Sequence, residues 1–181
     1  MTSHEASPPF TYNNLTLSVA GIKTFATTPT VNGILSIEGT ATVVATTGVV
    51  TYGANATLQY NTTTARTSTA EEWITPFAAT GGIIIASTGA ITPDAAKVFN
   101  ASVPLTINSG ATLATNNLGL TLGGNFVNGG TFTAGSSVIT ISGNWTNTGT
   151  FTAGTSTVTF NGTGNQSISG SNTWYNLSIT A

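Results

Sequence analysis

Nine side chains in this sequence could carry charge or move a proton near neutrality: Lys23, Arg66 and Lys97, the carboxylates Glu5, Glu38, Glu71, Glu72 and Asp94, and the imidazole of His4. Cleaving a polysaccharide would need two facing carboxylates for acid and base work, or a bound Ca²⁺ beside a Lys or Arg. Glu71 and Glu72 are adjacent, and on a strand adjacent side chains point to opposite faces. Asp94 and Lys97 lie three apart in one loop. Neither makes a working pair, and both are read as solvated surface charges. His4 sits alone in a Pro-containing segment without a second ligand. Cysteine is absent, which excludes disulfides and thiolate metal sites. No catalytic, cofactor-binding or metal-binding residue is assigned.

The elements that would have to position such groups are built from a different vocabulary. Charged residues make up 4% of the 181 residues, against about 25% in an ordinary soluble domain. So few cations exclude a basic footprint for nucleic acid and a cationic stripe for an acidic membrane. Thr, Ser, Asn and 21 Gly take the place of charge, so hydroxyls and amides must meet water. The longest apolar run surrounds Ile83, Ile84 and Ile85, far short of the roughly 20 residues of a membrane helix. Apolar alternation lasts three to five residues at a time, too short for the strands of a membrane barrel. The segment 1–10 is read as an N-terminal tail without the apolar centre of a secretory signal.

A repeat organises the rest. Gly124-Asn125-Phe126-Val127-Asn128-Gly129-Gly130-Thr131-Phe132-Thr133-Ala134-Gly135 returns 19 positions later as Gly143-Asn144-Trp145-Thr146-Asn147-Thr148-Gly149-Thr150-Phe151-Thr152-Ala153-Gly154. Stepping by 19 aligns Ile107, Phe126 and Trp145; Leu113, Phe132 and Phe151; Leu120, Ile139, Val158 and Leu177; and Leu122, Ile141, Phe160 and Ile179. Gly124, Gly143 and Gly162 form a fifth column. Within each turn the apolar residues come as i, i+2 pairs with Thr between them, the spacing of a strand with one buried face. Gly and Asn-Gly clusters punctuate the strands where the chain must turn. Thr69 with Glu72, and Thr92-Pro93-Asp94, have helix-start spacing but are read as loops.

Short strands at this period bury their apolar columns only by stacking coil on coil. The expected fold is all-β, a single parallel β-helix (β-solenoid) with coils of about 19 to 22 residues. Residues 11–181 form it, in irregular, loop-decorated coils over 11–100 and regular 19-residue coils over 101–181. Nine or so coils rising about 4.8 Å each would make a rod roughly 40 Å long. Ser87-Thr88-Gly89-Ala90 resembles Asn108-Ser109-Gly110-Ala111 at an offset of 21, so the earlier coil is longer. Between Tyr52 and Phe77 the pattern breaks, and the segment carrying Arg66, Glu71 and Glu72 is read as a protruding loop, where specificity would reside. Phe126 and Trp145 are core aromatics; Trp73 and Trp174, outside the columns, are the candidates for exposed contact. The outward column Thr121, Thr140 and Thr159 admits binding to ice or a crystalline polysaccharide, although one column is not a lattice.

These motifs, with Leu105-Thr106-Ile107-Asn108-Ser109-Gly110-Ala111-Thr112-Leu113 and Gly53-Ala54-Asn55-Ala56-Thr57-Leu58-Gln59-Tyr60, resemble the Thr-, Gly- and Asn-rich repeat modules of very long bacterial surface and secreted proteins, especially those of the Bacteroidetes. The resemblance implies an extracellular or cell-surface, adhesin-like or matrix protein and carries no catalytic residues with it. A carbohydrate-binding or carbohydrate-cleaving β-helix, or an ice-binding solenoid, is the competing reading.

Each end of a solenoid presents unpaired backbone groups and an uncovered apolar layer. The segment Tyr175-Asn176-Leu177-Ser178-Ile179-Thr180 resembles Tyr12-Asn13-Asn14-Leu15-Thr16-Leu17, so the unit finishes where a copy of it could begin. Tyr12, Leu15, Leu17, Tyr175, Leu177 and Ile179 are therefore the expected self-association residues. The partner is another copy end to end, or neighbouring repeats of a longer chain, with surface polysaccharide as a further ligand class.

Overall fold

The computed structural model describes residues 10–180, and every regular element in that span is a β-strand. His4, Glu5 and the rest of the expected tail before Phe10 lie outside the described residues. All paired strands run parallel, each joined to its counterpart one coil away. The chain is a β-solenoid with three faces.

One long face is an unbroken eight-stranded sheet: Leu15–Leu17, Ile34–Glu38, Thr57–Asn61, Gly82–Ile85, Leu105–Ile107, Phe126–Asn128, Trp145–Asn147 and Ile168–Gly170. There are thus eight coils rather than nine, because the coils are longer than the repeat suggested. Leu15, Leu35, Leu58, Ile83, Leu105, Phe126, Trp145 and Ile168 stack in one column at steps of 20, 23, 25, 22, 21, 19 and 23 residues. At about 4.8 Å per coil the stack is roughly 35 Å long. The second face holds Ala20–Phe25 and Thr40–Ala45, then resumes with Arg66–Thr67, Ala90–Thr92, Thr112–Ala114, Thr131–Thr133 and Thr150–Thr152. The third holds Thr11–Tyr12, Thr30–Val31 and Thr51–Tyr52, then Lys97–Val98, Leu120–Leu122, Val138–Ile141, Thr157–Phe160 and Asn176–Ile179.

Three of the four expected apolar columns stand as read: Leu113, Phe132 and Phe151 are in register, as are Leu120 through Leu177 and Leu122 through Ile179. The fourth is corrected by two residues. Leu105, not Ile107, stacks on Phe126 and Trp145, while Ile107 stacks on Asn128 and Asn147. The cause is a corner. Four residues, Asn108 to Ala111, separate the long and second faces in one coil, and only Gly129 and Gly130 do so in the next. The earlier offset shifts too, since Ala90 pairs with Thr112 at 22.

The aromatic rings continue the ladders in the last coils. Phe126 and Trp145 have centroids 4.4 Å apart, and Phe132 lies on Phe151 at 5.6 Å with the rings 14° from parallel. Phe126, Phe132 and Trp145 are fully buried, each such side chain contributing roughly 1.5–3 kcal/mol by removal from water. At the corner beside them the column turns polar. Asn128 Nδ2 donates to Asn147 Oδ1 at 2.8 Å and to the Thr150 carbonyl at 2.9 Å, and Asn128 Oδ1 accepts the Gly130 N–H at 3.2 Å. The amides thereby pair buried groups that an aliphatic residue would leave unmatched. The tightness of the same corner explains Gly149, where a Cβ would run into the Gly130 carbonyl. Gly124 and Gly143 stack likewise, and a Cβ on Gly162 would meet the Ser142 carbonyl just before Gly143. Four extra residues enter its corner, and Gln166 holds them by donating to the Ile141 and Gly143 carbonyls at 3.0 and 2.7 Å.

Candidate functional site

The interrupted coil between Asn61 and Gly82 does not protrude. It closes the wall where strand pairing on the second face lapses. The carbonyls of Gly39, in the turn before the strand Thr40–Ala45, and of Ala41 and Val43 within it receive the Thr62 hydroxyl at 2.6 Å, the Arg66 guanidinium and the Thr69 hydroxyl at 3.2 Å. On the third face, the Val50 N–H donates to the Glu71 carbonyl, and Phe77 pairs with Phe99. Tyr52 packs on Phe77 at 4.8 Å between ring centroids.

Charges fasten this segment from inside. Glu72 is fully buried. Its Oε1 accepts from Arg66 Nη2 at 2.5 Å, from the Tyr60 hydroxyl at 3.1 Å and from the Thr69 N–H at 3.1 Å. The last contact realises the capping-box spacing of Thr69 and Glu72 as a single turn, with the Trp73 N–H donating to the Thr69 carbonyl at 3.0 Å and no helix following. Burial pushes the Glu72 carboxyl above its ordinary value, and Arg66 with the hydrogen bonds offsets only part of that. Burial, with the Glu72 carboxylate adding to it, also holds the Tyr52 and Tyr60 phenols well above theirs. Beside this pair Lys97, also buried, donates from Nζ to the Trp73 carbonyl at 2.5 Å and meets Asp94 at 2.7 Å. Its ammonium lies 5.6 Å from the Trp73 ring centroid. Ser68 donates to Asp94 at 2.5 Å. Burial disfavours the Asp94 carboxylate, but the hydrogen bonds from Lys97 and Ser68 and the charge of Lys97 outweigh it, so the carboxyl lies below its ordinary value.

Glu72 and Lys97 are therefore not solvated surface charges, and Asp94 and Lys97 do form a pair. Trp73 is likewise corrected from exposed to fully buried. Trp174 is half-buried and packs 5.0 Å from Trp145 and 5.2 Å from Phe151, plugging the last coil. Among the described residues no group of His, Asp or Glu is placed to hold a metal ion, and no helix is long and apolar enough to cross a membrane.

The residues expected to self-associate fall on the two terminal coils but not on one shared face. Leu15 and Leu17 head the long face, Tyr12 heads the third, and Leu177 and Ile179 end the third. The likeness between the two segments is thus one of strand pattern, not of position in the coil. Leu177 and Ile179 continue the columns of the buried Val158 and Phe160, yet are 42% and 69% exposed. Tyr175, 61% exposed, flanks them.

Hydroxyls are arrayed more regularly than expected. Thr121, Thr140 and Thr159 do form a column on the third face. The second face adds two parallel columns: Ala90, Thr112, Thr131 and Thr150, beside Thr67, Thr92, Ala114, Thr133 and Thr152. The alternation of Thr around an inward Phe or Leu made this second array readable from the sequence. Comparison with protein-family models, with curated proteins and with solved structures finds no match.

Proposed function

We propose that this protein is a structural module of an extracellular or cell-surface filament, continuing coil on coil into another copy or the next unit of a longer chain. The observation that carries this is the free edge of Asn176–Ile179, whose core-facing Leu177 and Ile179 stand exposed above fully buried neighbours. A parallel strand laid on that edge buries both side chains and pairs the backbone. On the third face, Thr11–Tyr12 of a second copy meets Asn176–Ile179. A heterologous contact of this kind does not close on itself and yields a fibre. The low charge leaves little repulsion between units. No catalysis is assigned in this reading.

Sedimentation and electron microscopy of the purified chain test it. Concentration-dependent rods are expected, and Leu177→Asp or Leu15→Asp should abolish them. Protein that stays monomeric at high concentration, or rods unchanged by both substitutions, overturns the reading. Polysaccharide cleavage lost on Glu71→Gln or Glu72→Gln would do so from the enzymatic side.

A second reading is favoured by the double Thr column on the second face. Its hydroxyls and methyls repeat at about 4.8 Å between coils and about 6.6 Å along each strand. That uncharged two-dimensional array suits a crystalline neutral surface such as ice.

A further inference from the structure

The geometry points to a hinge between the second and third coils, about which the first two coils swing open as a unit. The second coil, Ile34–Glu38 with Thr40–Ala45 and Thr51–Tyr52, pairs with the first on all three faces. Every step from the third coil to the seventh is likewise paired on three faces, the Phe77–Phe99 bridge serving as the third face of one step. Between the second coil and the third only the long face pairs, Ile34–Glu38 lying in register with Thr57–Asn61. Among the described residues, Thr40–Ala45 and Thr51–Tyr52 have no strand partner on that side.

Single contacts close the other two faces. On the second, side-chain donors from Thr62, Arg66 and Thr69 reach the Gly39, Ala41 and Val43 carbonyls. On the third, the Val50 N–H donates to the Glu71 carbonyl at 2.9 Å, and the Tyr52 hydroxyl donates to the Glu72 carbonyl at 2.6 Å. Val50 and the segment 69–72 belong to the connections between the second and third faces, opposite the long face. The chain itself crosses from the second coil to the third at 53–56, beside the long face. Backbone pairing and the covalent crossing thus lie on one side, and the latching contacts on the other. Opening here leaves every strand ladder intact, whereas opening at a fully paired step breaks ladders on two faces, so this joint yields first. The layer uncovered includes Arg66 and Glu72, which regain water on opening, and that offsets part of the apolar exposure. A rod jointed in this way bends at one level, and its buried Val43, Tyr60 and Trp73 become reachable only while the joint is open. The hinge belongs to the single chain and is independent of how units stack.

The full chain tests this with one probe on each open face. On the third face, amide exchange followed by NMR reads the Val50 N–H against its neighbours Thr46 and Thr51, which donate to the Phe25 and Pro29 carbonyls of the first coil and so move with the hinged unit. On the second, Val43→Cys gives a sequence without cysteine one buried thiol, read by its labelling rate. Leu113→Cys, buried on the same face between paired neighbours, is the reference, and thermal melts confirm that each variant folds. In native buffer the Val50 amide should be at least about tenfold less protected than those of Thr46 and Thr51, and the Val43→Cys thiol at least about tenfold faster to label than Leu113→Cys. Thr69→Val removes one latch and should raise Val50 exchange and Val43→Cys labelling by the same factor, about two- to tenfold, the worth of one hydrogen bond. Thr46 and Thr51 should not respond. Protection of Val50 equal to that of Thr51 overturns the hinge in favour of fraying from the chain's end. A Val43→Cys thiol as inert as Leu113→Cys overturns it too. If Thr69→Val moves one probe without the other, the two faces open separately and the hinge is again refuted.

Discussion

Removing the Glu72 carboxylate tests whether the charges in the interrupted coil hold the wall together. One oxygen serves three donors, from Arg66, Tyr60 and the Thr69 backbone. Glu72→Ala deletes them together and leaves the Arg66 guanidinium, whose side chain is 9% exposed, without its counter-charge. Stripping one partner from a buried ion pair costs about 3–5 kcal/mol. For a domain of this size that lowers the melting temperature by roughly 6–20 °C. Replacing both members, as Arg66→Met with Glu72→Met, removes the stranded charge as well and should recover most of the loss, so a double-mutant cycle reads the coupling directly. Calorimetry or circular dichroism supplies the assay. A Glu72→Ala protein within about 1 kcal/mol of wild type refutes the argument, because a cost that small is typical of an exposed pair.

The same carboxyl fixes a sign in pH. Its value in the folded chain is raised, so the native state binds the proton more tightly than the unfolded state does. The stabilisation is complete below the ordinary glutamate value of 4.5 and is lost as pH rises through the folded value. Asp94 works the other way, its stabilisation present above the ordinary aspartate value and lost as pH falls through its lowered one. Glu72→Gln should therefore flatten the decline of stability above pH 4.5 while leaving the acid limb in place.

Two further outcomes follow from the stacked faces. Thr131→Lys with Thr133→Lys places charge in the middle of the second-face array; if that array binds ice, wild type should slow ice recrystallisation and the variant should not, whereas a wild type without effect removes that reading. Gly149→Ala should destabilise by about 1–3 kcal/mol, since its methyl group meets the Gly130 carbonyl and the corner must move. A melting temperature equal to wild type would show that this corner is slack.

How far the sequence could be read followed from what repeats. Phe132 over Phe151 and Leu120 over Ile139 were legible because strand, corner and strand keep their lengths from coil to coil, so a fixed step finds each partner. Ile107 misled because corner length is set by backbone conformation, and a two-residue change there left both flanking strands apolar. Glu72 and Lys97 misled for a different reason. Enclosing a charge is costly enough that surface placement is the sound expectation for either alone. Their grouping was the available signal. In a chain solubilised by hydroxyls, Arg66, Glu71, Glu72, Asp94 and Lys97 concentrate both signs into two neighbouring coils, which a surface serving only solubility would not require.

The interior break and the C-terminal coil treat their unpaired strands differently from face to face. Where pairing lapses on the second face, Thr62, Arg66 and Thr69 supply side-chain donors to the stranded carbonyls. The last long-face strand is treated the same way: Asn172 Nδ2 donates to the Ser169 and Gly170 carbonyls at 3.3 and 3.1 Å, and Asn172 Oδ1 accepts from Trp145 Nε1 at 2.8 Å. Trp174 then covers the core rings beneath. On the third face nothing comparable caps Asn176–Ile179 among the described residues, and Leu177 and Ile179 stand exposed. The filament reading proposed above therefore places the contact between units on that edge. For this reason Leu177→Asp, rather than a substitution at Ile168 or Trp174, is the decisive variant for end-to-end assembly.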